Sequence, residues 1–164
     1  MHRLELKTEG DRTVIVTRRF AAPPERVYRA HVEPDLVARW MTGPDGWTMA
    51  SCLSDPVAGG AIRYEWVNDE GAGFFLTGEY VELQPFHRIV HIERMHLPDP
   101  TPDNHVETTF TPDGSGTLMV VRMTLPDAEV RAAMLGTGMA DGMEASYARL
   151  ESHIARAATE PEGI

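Results

Sequence analysis

The stretch RIVHIERMH, residues 88–96, sets His91 and Glu93 two positions apart among apolar neighbours. An imidazole and a carboxylate in a water-poor site can move protons, and either one alone can orient a bound polar group. Along an extended chain side chains alternate between faces, so these two share a face at about 6.6 Å along the strand. Both can meet one bound molecule at that spacing, whereas a direct hydrogen bond needs rotamers that draw them together. Alternation defines two sets, Ile89, His91, Glu93 and Met95 against Val90, Ile92, Arg94 and His96, each with two apolar and two polar members. Pattern alone leaves open which set faces the interior. If the His91 set is inside, satisfying neighbours such as Tyr64 or a trapped water, or making a simple ligand contact, is the plainer reading, and acid–base catalysis the sharper one.

Other chemistries fit less well. His87 and His91 lie on one strand face about 13 Å apart, too far to share an ion. The sequence holds no HExxH and no paired CxxC, and neither a metal nor any other cofactor is expected. Cys52, the single cysteine, has no cation or helix start beside it in the sequence and reads as an inert thiol. LGTGMADG, residues 135–142, sits inside a helical pattern and lacks the GxGxxG spacing of a dinucleotide loop. Trp40, Trp47 and Trp66 read first as core anchors and second as stacking surfaces.

The elements that position these residues follow from periodicity. TVIVTRRF (13–20) alternates and is rich in β-branched residues, which predicts a strand after a turn at EGD. Pro23 and Pro24 open a short helix with Val27, Tyr28 and His31 at one-turn spacing, and Pro34 starts a second with Leu36, Val37, Trp40 and Met41. GPDG (43–46) breaks them, and WTMASCL follows as a short strand. GGAIRYEWVN (59–68), FFLTGEYVELQ (74–84) and 88–96 are joined by links short enough for antiparallel neighbours. After the loop LPDPTPDN (97–104), HVETTFT and TLMVVRMTL flank the turn PDGSG as a hairpin. Pro126 and Asp127 then open a terminal helix, expected over about 127–157, with a stripe of Met139, Met143, Tyr147, Leu150 and Ile154. Gly136, Gly138 and Gly142 weaken it near the middle.

This order predicts an α+β fold in which an antiparallel sheet of about seven strands buries one face under the terminal helix. Alternation assigns Ile62, Tyr64 and Trp66, then Val106, Thr108 and Phe110, then Met119, Val121 and Met123 to the concave face. Gly138, Gly142 and Ser146, spaced by four, form a helix face of little side-chain volume and leave room for a cavity.

Composition bounds the partners. The 164 residues suit one domain, spanning 1–164, at 42% hydrophobic and 24% charged. Fifteen Lys and Arg against 25 Asp and Glu give a formal charge of −10, which repels nucleic acid and anionic lipid but leaves a neutral or cationic small ligand open. No apolar run approaches a membrane span, and the N-terminus lacks the pattern of a secretory signal, so a cytoplasmic location is expected. A homodimer is left open.

RRFAAPPERVYRAHVEPDLVARWM, GGAIRYEW, GEYVEL, RIVHIERM, TFTPDGSGTLM and GMEASYARLESHIA, in this order from about residue 12 to 156, resemble the bacterial homologues of the heat-shock-protein-90 ATPase activator, within the START-like (SRPBCC) superfamily. The resemblance implies a helix-grip fold, a curved antiparallel sheet holding the C-terminal helix around a hydrophobic pocket, and a link to the stress response. The family pattern carries aromatic residues at positions 91, 93 and 95, which turns His91 and Glu93 inward. It often has a tryptophan where Met143 stands, so the pocket here is expected to be more polar and reshaped by a flexible thioether.

The function expected on these grounds is binding of a hydrophobic or aromatic small molecule. Ile62, Tyr64, Trp66, Tyr80, Met95, Thr108, Val121 and Met143 supply contact, and His91 and Glu93 orient the ligand. A cyclase- or hydrolase-like enzyme using His91 and Glu93 is the first alternative. A chaperone-associated protein, suggested by the family name, is the second.

Overall fold

Alternating apolar residues in segment after segment need a common surface to cover, and here they share one sheet. The structure, a computed structural model, describes residues 2–42, 45–96 and 99–159. The breaks read at 43–46 and 97–104 fall partly outside the described residues. The elements are β1 (Glu5–Glu9), β2 (Thr13–Phe20), α1 (Pro24–Val32), α2 (Pro34–Trp40), β3 (Trp47–Ser54), β4 (Ala61–Asn68), β5 (Gly73–Gln84), β6 (Arg88–His96), β7 (Asn104–Asp113), β8 (Gly116–Thr124), α3 (Ala128–Leu135) and α4 (Met139–Thr159). The strands form a single antiparallel sheet in the order β1-β2-β8-β7-β6-β5-β4-β3. The expected α+β helix-grip architecture is present.

Two details differ from the sequence reading. The sheet has eight strands, because ELKTE pairs with β2 as β1. Its Glu5, Lys7 and Glu9 hide the strand from any search for apolar alternation, and pairing with a strong neighbour forms it instead. The terminal helix is also two helices. Asp127 caps α3 as expected, accepting a hydrogen bond from the Val130 N–H at 2.9 Å. The chain then turns at Gly136–Gly138, where Gly138 takes φ +75°, a conformation that favours glycine. None of the residues of α3 is fully buried.

The concave face is built as alternation requires. Val14, Val16, Phe20, Ile62, Tyr64, Trp66, Val106, Phe110, Met119, Val121 and Met123 are buried in one continuous core with Val27, Tyr28, Val37 and Trp40 of α1 and α2. A bulge between Met49 and Ser51 in β3 resets the alternation so that Cys52 stays on the inner side, and another between Tyr80 and Glu82 in β5 brings Leu83 against the core after Tyr80. Leu150 and Ile154 of α4 are buried as predicted, each contributing about 1.5–3 kcal/mol. Tyr147 packs edge-on to Phe20 at 5.8 Å and stacks on Trp40 at 5.9 Å.

A buried charged residue of the sheet joins it to α4. Arg18 lies on the inner face of β2, only 1% exposed. It donates to both carboxylate oxygens of Glu144, at 3.1 and 3.2 Å, and to Glu151 at 3.2 Å. Glu144 also accepts the Leu4 N–H at 2.8 Å, which ties down the chain entering β1. Arg18→Ala strips a buried cation from two carboxylates. It is expected to cost about 3 kcal/mol in urea unfolding, against under about 1 kcal/mol for removal of the exposed Arg19–Asp113 pair.

Candidate functional site

Between the sheet and the helices lies a cavity of about 740 Å³. Strands β4 to β8 form its floor, α2 supplies Trp40 with Met41 just beyond it, and α3, α4 and their connection form the roof. All ten residues expected from the sequence line it: Ile62, Tyr64, Trp66, Tyr80, His91, Glu93, Met95, Thr108, Val121 and Met143. The face of β6 is thereby assigned, with Ile89, His91, Glu93 and Met95 inward. On the outer face Arg94 pairs with Glu79 and Asp103, while His96 stacks on Phe75. Gly142 and Ser146 of the small helix face also line the cavity. Gly138 does too, from the turn preceding α4 and not from the helix itself.

Large rings form the wall because their polar edges are fastened behind it. Trp40 Nε1–H donates to the Ala30 carbonyl at 2.8 Å, and Trp66 Nε1–H to the Met41 carbonyl at 2.9 Å. Both indoles are core anchors and cavity wall at once. The Tyr80 hydroxyl meets Ser54 Oγ at 2.6 Å, and that hydroxyl in turn donates to the Val32 carbonyl at 2.7 Å. Burial raises the pKa of Tyr64, reinforced by the neighbouring Tyr80, Cys52 and Glu93. Burial likewise raises that of Tyr147, where Glu93 again adds to the effect. The Cys52 thiol, half-buried, is pushed up to about 11 by burial and then by Asp35, in keeping with an inert thiol.

His91 and Glu93 do touch. His91 Nε2 and Glu93 Oε1 are 2.7 Å apart, so the rotamers close the gap that strand spacing alone leaves. The tautomer that donates Nε2–H to the carboxylate leaves a lone pair on His91 Nδ1, and that atom is buried without a hydrogen-bond partner among the described residues.

Sequence reasoning missed four polar residues of the wall, His31, Asn104, Thr137 and Asp141. His31 was visible only as part of the α1 stripe, and Asn104 only as the end of a loop. His31 Nδ1–H donates to the Val27 carbonyl at 2.8 Å, while its ring packs on Trp40 and Phe110. Its Nε2 and the Asn104 Oδ1 are buried without hydrogen-bond partners among the described residues. Enclosure by protein, helped by His91, lowers the His31 pKa to about 4 despite the opposing Val27 carbonyl.

With the fold and cavity described, comparison with known proteins places the chain. The family model described as Activator of Hsp90 ATPase homolog 1-like protein matches residues 21–155. The chain belongs to that family. It is similar to a Rhodobacter sphaeroides protein of known crystal structure, at 29% identity and TM-score 0.88 over 94% of this chain and 99% of that one. A Chromobacterium violaceum protein is 28% identical, with TM-score 0.72 over 87% and 96% of the two chains. A Nitrosomonas europaea protein, 20% identical with TM-score 0.81 over 93% and 100%, shares the fold. No curated protein matches the sequence.

His31 makes stability depend on pH in a definite direction. Its ordinary value is 6.5 and its folded value about 4. Between these the unfolded chain binds more protons, so this contribution is complete above about 6.5 and is lost as pH falls toward about 4, on the order of 3 kcal/mol in all. Urea unfolding of the wild type and His31→Gln at about pH 7.5 and about pH 4.5 should show a smaller acid-induced loss in the variant; equal losses contradict the assignment.

Proposed function

We propose that the protein binds a hydrophobic or aromatic small molecule in the cavity beneath α4. The observation that carries this reading is the cavity itself. Its volume of about 740 Å³ lies within the about 300–1,000 Å³ of small-molecule sites, and its lining combines many apolar and aromatic groups with a few convergent polar ones. The formal charge of −10 supports a carrier or sensor free of nucleic acid and anionic membrane. Among the described residues no helix is long and apolar enough to cross a membrane. The reading takes the cytoplasm as the place of action.

A second reading, general-base catalysis on a bound molecule, is favoured by the His91–Glu93 hydrogen bond. Glu93 would orient the ring and His91 Nδ1 would take the proton. Under that reading Glu93→Gln leaves a bound substrate unconverted.

Filling the cavity tests the leading reading. A Cβ built on Gly142 meets nothing within 4 Å, so Gly142→Leu adds its bulk to open space and gains about 1 kcal/mol of helix propensity. Titration with the neutral dye Nile red should be about tenfold weaker in this variant, about 1.4 kcal/mol, with the melting temperature undiminished. Ala148→Leu, on the exposed face of the same helix, is the control. Equal dye affinity in both variants would overturn the reading.

A further inference from the structure

The proposed cavity has a sign. Its charged wall residues are Glu93 and Asp141, and among the described residues neither lysine nor arginine lines it. Arg18, whose charge reaches Tyr147, does not line the cavity and is held by Glu144 and Glu151. Glu93 sits on the sheet floor opposite Gly78 on one side and Asn104 on the other. Gly78 has no side chain to cover the carboxylate, and a Cβ there would meet the Ile92 carbonyl at 2.2 Å. One Glu93 oxygen accepts from His91, while the other accepts no hydrogen bond from the described residues.

A second observation points the same way. The unpartnered buried polar atoms of the wall are His31 Nε2, His91 Nδ1 and Asn104 Oδ1. His31 donates from Nδ1 to a carbonyl and His91 from Nε2 to Glu93, so each bare ring nitrogen carries a lone pair. The negative ends of three dipoles are thus left uncompensated beside one carboxylate. Aromatic faces stand near them: Tyr80 lies edge-on to His91 at 6.4 Å, and Tyr64 and Tyr147 are close enough for the Glu93 charge to raise the pKa of each. Such faces attract a desolvated cation. Moving an ammonium out of water is costly unless a fixed negative charge receives it, and a ligand carboxylate here meets like charge instead.

We propose that the cavity selects organic cations, molecules with an aromatic or apolar body and one ammonium group, the ammonium seated against Glu93 between the aromatic walls. This rests on the ligand-binding reading above and adds the class of ligand. It divides the expected hydrophobic ligands in two, admitting amines and rejecting fatty-acid-like carboxylates.

Four probes with one ring system separate charge from hydrogen bonding: 1-naphthylmethylamine, 1-naphthylmethyl-trimethylammonium, 1-naphthalenemethanol and 1-naphthylacetate, titrated by calorimetry at about pH 7.5. Both ammonium probes should bind about tenfold more tightly than the alcohol, about 1.4 kcal/mol, and the carboxylate most weakly. Glu93→Gln, checked for folding by thermal melting, should shrink the ratio of trimethylammonium to alcohol affinity about fivefold or more. An alcohol or carboxylate binding as tightly as the ammonium probes, or an unchanged ratio in Glu93→Gln, overturns the proposal. If Nile red binds and none of the ammonium probes does, the cavity binds ligands and this selectivity is wrong. If neither Nile red nor any probe binds, both readings fall.

Discussion

The guanidinium of Arg18 ties helix α4 to the sheet. It rises from the inner face of β2 to Glu144 and Glu151, one helical heptad apart, and holds that stretch of the helix over the strand. Packing at native density leaves little room, so a cavity needs a place where side chains do not meet. Apolar side chains do reach across at one end, where Tyr147 rests on Phe20 and Trp40. Toward the start of α4 the helix presents Gly142 and Ser146, and nothing large fills the gap. The cavity therefore follows from small residues at the start of α4, beside the stretch that Arg18, Tyr147 and Leu150 hold against the sheet.

An opening of this size stays open only if its walls cannot swing inward. Three of the largest rings are pinned at their polar edges to groups behind them, the two indoles to carbonyls and Tyr80 to Ser54. A ring that rotated into the space would leave a buried acceptor or donor unpaired, which costs about 1–3 kcal/mol. The methionines Met95, Met134, Met139 and Met143 carry no such restraint. Their thioethers give the wall an adjustable surface beside a fixed one, which suits a body of variable shape attached to a constant polar end.

Much of this was legible in the chain. Strand positions, the two proline-started helices, the concave face of β4, β7 and β8, and the burial of Leu150 and Ile154 all rest on local periodicity, which a sequence displays directly. What escaped depends on pairs distant in sequence. β1 takes its structure from β2, and Arg18 reads as half of a short basic run until Glu144 and Glu151 are brought above it. The same holds for the ring of His31, whose loss of solvent comes from Trp40 and Phe110 closing around it. The orientation of β6 was ambiguous by pattern because its two faces carry equal numbers of polar residues; family likeness resolved it, and the cavity accounts for why polar residues are tolerated on the inner face. The three glycines near the start of α4 signalled weakness, yet only one needs it as a backbone turn, at Gly138, while Gly142 serves as vacant volume.

The segment α3, between the end of β8 and the turn at Gly138, bears part of the roof while burying none of its own residues fully. Its amides are held by a single short run of helical hydrogen bonds and one Asp127 cap. Exchange with heavy water in such a segment proceeds through its own brief unfolding, well below the free energy that unfolds the sheet. The roof of the cavity is consequently attached in two ways: α4 is held to β2 through Arg18, while α3, with Met134 on the cavity side, is held to the β1–β2 turn by Arg131, which donates to the Gly10 and Thr13 carbonyls at 2.9 and 3.3 Å. A guest that touches Met134 and Met139 together adds contacts to both helices, so its arrival is recorded as slowed exchange in residues 128–135.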